Sequence, residues 1–156
     1  MRRSLALVLM GLALAPAAAS AQRADSAAVL KVLDGFTAAL RAKDSLGMRA
    51  LLHEQARFTL LRPAQGGGVR VMILDAATFP RLTSDPKGPI YDEPIRNAKV
   101  TIDGDLATVW AEYQVRIEGK VSHCGYDAFD LVRSTGGWKI LNVSDTFRRE
   151  GCGAMW

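Results

Sequence analysis

Most of the residue patterns that announce a catalyst are missing from this chain of 156 residues. It contains no G-x-S-x-G, H-E-x-x-H or C-x-x-C stretch and no dinucleotide-type glycine fingerprint. Those absences argue against a serine hydrolase, zinc peptidase, thiol oxidoreductase or nucleotide enzyme. Gly66, Gly67 and Gly68 lack the Gly-Lys-Ser/Thr of a phosphate loop and read as a flexible hairpin turn. Histidine is scarce, with only His53 and His123. His123 and Cys124 are adjacent on an extended segment and point to opposite faces, which spoils them as joint zinc ligands. No metal and no cofactor is therefore expected.

Neither sign of charge dominates, with 20 basic side chains against 16 acidic ones. Arg148-Arg149 is the only basic doublet after the N-terminal segment and has no aromatic interleaving beyond Phe147. A nucleic-acid partner is not expected. Apolar length is also confined to the start of the chain. Arg2 and Arg3, the apolar stretch Leu5 to Leu14, and Ala19-Ser20-Ala21 form the three parts of a secretory signal. Cleavage is expected after Ala21, with export to the periplasm or beyond. The apolar stretch is too short to span a bilayer comfortably, so no stable membrane insertion is expected afterwards. Residues 22–156 then form a single domain. Two cysteines in an exported chain, Cys124 and Cys152, are expected to form a disulfide.

What the chain does have is periodicity. Val29, Leu33, Phe36 and Leu40 form one helical stripe, with Asp25 or Ser26 as its cap, and Asp44 or Ser45 caps a short second helix. Segments 56–62 and 69–74 read as a hairpin, followed by a short helix over 76–82 behind Asp75. From Arg96 to Arg149 the chain reads as four antiparallel strands, with turns at Asp103-Gly104, Glu118-Gly119 and Ser134 to Gly137.

Those turns imply a register, and the register sorts side chains by face. Pairing Ile102 with Asp105, Ile117 with Lys120 and Arg133 with Trp138 puts Val109, Ala111, Val115, Ala128, Val132 and Val143 on one apolar face. Helices are expected to cover it. The opposite face is mixed, and Trp110, Phe129 and Ile140 form its apolar centre, which suits a homodimer contact. On the covered face the same register aligns Arg96, Ala111, Tyr126 and Asp145, with Tyr113 one row on. These four polar residues, Arg96, Tyr113, Tyr126 and Asp145, are the candidate lining of a small-molecule pocket. A purely structural Tyr–Asp or Arg–Asp pair is the alternative.

The order of elements, closing on Gly137-Trp138-Lys139-Ile140, resembles the nuclear-transport-factor-2-like superfamily, which includes the SnoaL-like cyclases. Within it, HCGYDAFDLV, GWKILNVSDT and the final Cys are most similar to small exported bacterial proteins described as lumazine-binding-like. The resemblance implies an α+β, cone-shaped fold in which N-terminal helices pack on a curved, mostly antiparallel sheet. It supplies no catalytic residue, because no stretch matches the enzymes' acid, base or tyrosine motifs. The reading is an exported domain that binds a small, partly apolar ligand in a cone-shaped cavity. One alternative is a cavity enzyme doing proton-transfer chemistry of the isomerase, dehydratase or cyclase type, with Asp145 as base beside Tyr126 and Tyr113. The other is a non-catalytic dimeric interaction domain.

Overall fold

The computed structural model describes residues 15–155. The expected signal lies in part outside them. Its last residues, Ala15 to Ala21, extend the first helix, α1 (Ala15–Arg41). Because α1 is already helical at Asp25, that residue is no cap. Its carboxylate instead meets the Arg133 guanidinium at 2.8 Å, tying the helix to the sheet. Asp44 does cap α2 (Ser45–Leu51), accepting the Gly47 amide at 2.8 Å.

The chain then forms a hairpin of β1 (Leu52–Pro63) and β2 (Val69–Asp75), a short α3 (Thr78–Thr83) and a two-residue strand β3 (Tyr91–Asp92). The meander follows as β4 (Ile95–Asp103), β5 (Leu106–Ile117), β6 (Lys120–Ser134) and β7 (Gly137–Asp145). All seven strands belong to one sheet, ordered β2-β1-β7-β6-β5-β3 with β4 also on β5. Neighbours are antiparallel except β1 and β7, which run parallel and place Phe58 beside Val143 and Leu60 beside Asp145. This is the expected α+β architecture of N-terminal helices on a mostly antiparallel sheet.

The α1 stripe of Val29, Leu33, Phe36 and Leu40 is buried against the sheet, as its spacing requires. Phe36, Phe58 and Phe79 pack as a trio, with Phe58 and Phe79 stacked at 4.0 Å. Cys124 and Cys152 are joined in a disulfide that pins a terminal 3-10 turn (Cys152–Met155) to β6. Among the described residues no helix is long and apolar enough to cross a membrane.

The register departs from the expected one at three irregularities. Near the β5–β6 turn, Ile117 pairs with Lys120, but Val115 pairs with His123, so β6 carries one extra residue, Ser122. On β7, Leu141 is extra in the same way, since Leu131 pairs with Ile140 and Asp130 with Asn142. On β4 the strand breaks step at Asn97, which adopts a left-handed φ of 52°. Asparagine tolerates that conformation better than most residues. Each bulge turns the following side chains over. Phe129 and Ile140 accordingly lie in the core beneath the helices, not on the open face where even alternation puts them. Of the expected dimer trio only Trp110 faces outward. The first turn also sits one residue later than read, with Asp103 opposite Leu106, a shift of two that leaves faces unchanged.

Candidate functional site

The bulges also reassign the polar row. Across the covered face it runs Ala111, Asp127, Asp145 and, over the parallel pair, Leu60. Tyr126 takes the open face, opposite Glu112 and stacked on Trp110 with ring centres 5.2 Å apart. Arg96 is displaced the same way and its guanidinium sits 3.8 Å from Glu112. Of the four expected pocket residues, Asp145 and Tyr113 are on the inner face, and Tyr126 and Arg96 are not. No Tyr126–Asp145 or Arg96–Asp145 contact forms.

Asp145 has a different cation. Arg62, at the end of β1, brings Nη1 to 2.7 and 2.6 Å from the two Asp145 oxygens, and the Leu61 amide donates to Oδ1 at 2.8 Å. The parallel pairing of β1 with β7 is what carries Arg62 there. Tyr113 packs edge-on against Gly125, where a Cβ would come within 2.8 Å of its ring and 2.2 Å of the Thr146 carbonyl. Only glycine leaves that space. Tyr113 then donates its hydroxyl proton to the Thr146 carbonyl at 2.6 Å.

Two more acids complete the cluster. Asp127 is 1 % exposed. Glu93, in the link between β3 and β4, lines the same cavity while its residue keeps part of its surface exposed. The cavity measures about 50 Å³. Its apolar wall is Phe36, Phe58, Phe79, Phe129 and Val143, and His123 closes one side. Asp127 Oδ2 has no N–H or O–H donor among the described residues. The Glu93 carboxyl lines the same cavity, and a proton on either acid would let the two carboxyls hydrogen-bond.

Burial is the main force on every titratable group here. It raises Glu93 to about 7 against a lowering hydrogen bond from Asp127. It raises Asp127 well above the carboxylate range, and the negative neighbours Glu93 and Asp145 add to that. Both acids of the pair therefore favour the protonated form more than a solvated carboxyl does. Burial also raises Asp145, though Arg62 and the Leu61 amide pull it back down. The Tyr113 hydroxyl is raised as well, by burial and then by the nearby acids. His123 is lowered to about 4, by burial first and then by Arg62 and Arg149, so it stays neutral at ordinary pH. Three carboxyls against one guanidinium leave the cluster short of positive charge. It favours a cation, a hydrogen-bond donor or a second proton. Among the described residues no group of His, Cys, Asp or Glu is disposed to hold a metal.

No protein-family model and no curated protein matches the chain. Solved structures do. An NTF2-like protein with a cystatin-like fold from Novosphingobium aromaticivorans superposes with a TM-score of 0.67 at 15% identity, covering 94% of this chain and 96% of that one. An NTF2-like protein from Cytophaga hutchinsonii gives 0.63 at 17% identity, over 77% and 95% of the two chains. The fold is NTF2-like. A protein of unknown function from Mycobacterium tuberculosis has it too, at TM-score 0.67 and 16% identity over 83% of this chain and 80% of that one. In this NTF2-like fold the acid cluster occupies the space between α1 and the inner face of the sheet.

Residue reading missed Arg62, Glu93 and Asp127. Arg62 reaches Asp145 through a parallel pair closed over 83 positions of sequence, which no local turn announces. Glu93 sits in a proline-containing link with no periodicity to orient it. Asp127 was visible on β6, but even alternation places it on the open face.

Proposed function

We propose that this NTF2-like domain binds a small, partly apolar molecule through a cationic or hydrogen-bond-donating head placed against Glu93 and Asp127. One observation carries the reading: three carboxyl groups and one guanidinium line a cavity walled by phenylalanines, with Asp127 and Asp145 buried. Buried acids of this kind cost stability compared with apolar residues of the same size, and perturbed acids in a cavity mark sites of function. The cavity volume, about 50 Å³, suits a head group or one or two waters but not a whole ligand. The ligand body therefore enters as rim side chains such as Thr37 and His123 swing aside. We also propose that the domain is exported, a reading supported by the Cys124–Cys152 bridge, which suits an oxidising compartment. Thermal-shift screening with small amines and alcohols tests the binding reading. Stabilisation by at least one compound, lost in Glu93→Gln and Asp127→Asn, is expected. An equal response in all three proteins sinks the idea.

A second reading, proton-transfer catalysis, is favoured by Glu93 alone. A carboxyl held near pH 7 beside a protonated Asp127 pairs a base with an acid. Turnover of an enolisable carbonyl compound that disappears in Glu93→Gln would establish it, and no turnover across such compounds would leave binding as the function. For the open face we propose a homodimer contact, now centred on the Trp110–Tyr126 stack.

A further inference from the structure

A second concavity lies at the end of the cone, separate in lining from the acid cluster except for Arg62. It encloses about 570 Å³ between Arg62, Arg70, Phe147, Arg148, Arg149 and Glu150. Four arginines and a single acid line it, although the Arg148 guanidinium itself lies over Tyr126 on the open face. Arg62 and Arg70 are direct cross-strand partners in the β1–β2 hairpin. Like charges facing each other across a sheet are destabilising unless something negative relieves them. Asp145 relieves Arg62 from the inner side. The other two arginines arrive from the far end of the chain. Arg148 is held by mutual backbone hydrogen bonds with Cys124 at 3.0 Å, and the disulfide anchors the same segment two residues beyond Glu150. The tail is therefore fastened where its charges add to those of the hairpin.

The cleft also has a flat apolar element. The Arg62 and Arg149 guanidiniums lie over the Phe147 ring, 5.1 and 5.6 Å from its centre. Guanidinium forks match the oxygen spacing of carboxylates and phosphates, and guanidinium planes also stack on aromatic rings, as these two do on Phe147. His123, stacked on Phe147 at 4.5 Å, is kept neutral in part by the same two arginines, so the positive potential extends inward.

We propose that this arginine cleft is a binding site for the oxyanion, carboxylate or phosphate, of a small aromatic molecule. The site stands on its own lining and does not depend on what the acid cluster binds. Arg62 belongs to both linings and stays bound to Asp145 on its inner side.

Titration calorimetry with benzoate, phenyl phosphate and inorganic phosphate tests the proposal on the full chain. Saturable binding of benzoate or phenyl phosphate is expected, weakened about tenfold or more in Arg70→Ser and in Arg149→Ser. Lys31→Ser, which removes one charge from exposed helix surface, should bind as wild type does. Phe147→Ala should weaken phenyl phosphate more than inorganic phosphate. Circular dichroism of each variant establishes that it is folded. Affinity unchanged in both arginine variants, or lost equally in Lys31→Ser, overturns the site, as does no saturation by any of the three anions. Binding only to vesicles containing phosphatidylglycerol, and to none of the free anions, overturns the small-molecule assignment.

Discussion

Val109 and Trp110 are neighbours on β5, yet the first is 2 % exposed and the second 47 %. The two faces of the sheet differ accordingly. The helix-covered face is Val109, Ala111, Phe129, Ile140 and Val143, interrupted by two acids. The open face carries Trp110 on Tyr126, the Arg148 guanidinium over Tyr126, and Glu112 with its Asn97 hydrogen bond. On the open face opposite charges meet each other, Glu112 with Arg96. On the inner face three carboxyls share one guanidinium, that of Arg62, so the balance of charge differs between the faces.

The sharpest way to break that contrast is to delete one ring from each face. Phe129→Ala should lose roughly 3–5 kcal/mol of stability in urea unfolding, since it leaves a cavity under α1. Next in size is the covalent tether. Replacing Cys124 and Cys152 together by serine should cost roughly 3–4 kcal/mol on the loop-entropy estimate for a separation of 28 residues. Unfolding midpoints under non-reducing conditions measure it.

A third measurement separates the faces by pH. Glu93 is raised in the fold, so its contribution is complete below the unfolded value near 4.5 and fades as pH climbs through about 7. His123 is lowered and works oppositely, adding stability as pH rises between about 4 and 6.5. The difference between wild type and Glu93→Gln isolates the acid. Relative to the variant, wild type should lose on the order of 2 kcal/mol between pH 4.5 and 7.5. A flat difference would mean Glu93 is solvated like an open-face acid. The smallest effect belongs to the open face itself. Trp110→Ala should change monomer stability by about 1 kcal/mol or less, and Trp110→Glu should convert dimers to monomers in sedimentation.

Much of this was legible from residues alone. The α1 stripe, the Asp44 cap, the hairpin, the meander, the disulfide and the α+β class all follow from spacing and turn chemistry. The face assignments were legible only as far as the nearest bulge. Ser122 and Leu141 carry no mark that distinguishes them from ordinary strand residues, and nothing in a two-residue period announces an extra one. Asp145 was visible as a candidate. Its cation was not, because the pairing that brings Arg62 to it joins the first strand to the last.

The bulge at Ser122 also bears on how such domains diverge. Removing that one residue would let β6 pair evenly with β5 while every cross-strand pair stays, so Asp127 would still face Ala111 and Phe129 would still face Val109. The inner face would survive the deletion although every later residue moves up one place in the count. Lineages built on this sheet can therefore change length without changing which side chains line the interior. A comparison of two such chains that matches residues column by column, blind to bulges, will set an inward acid against an outward tyrosine.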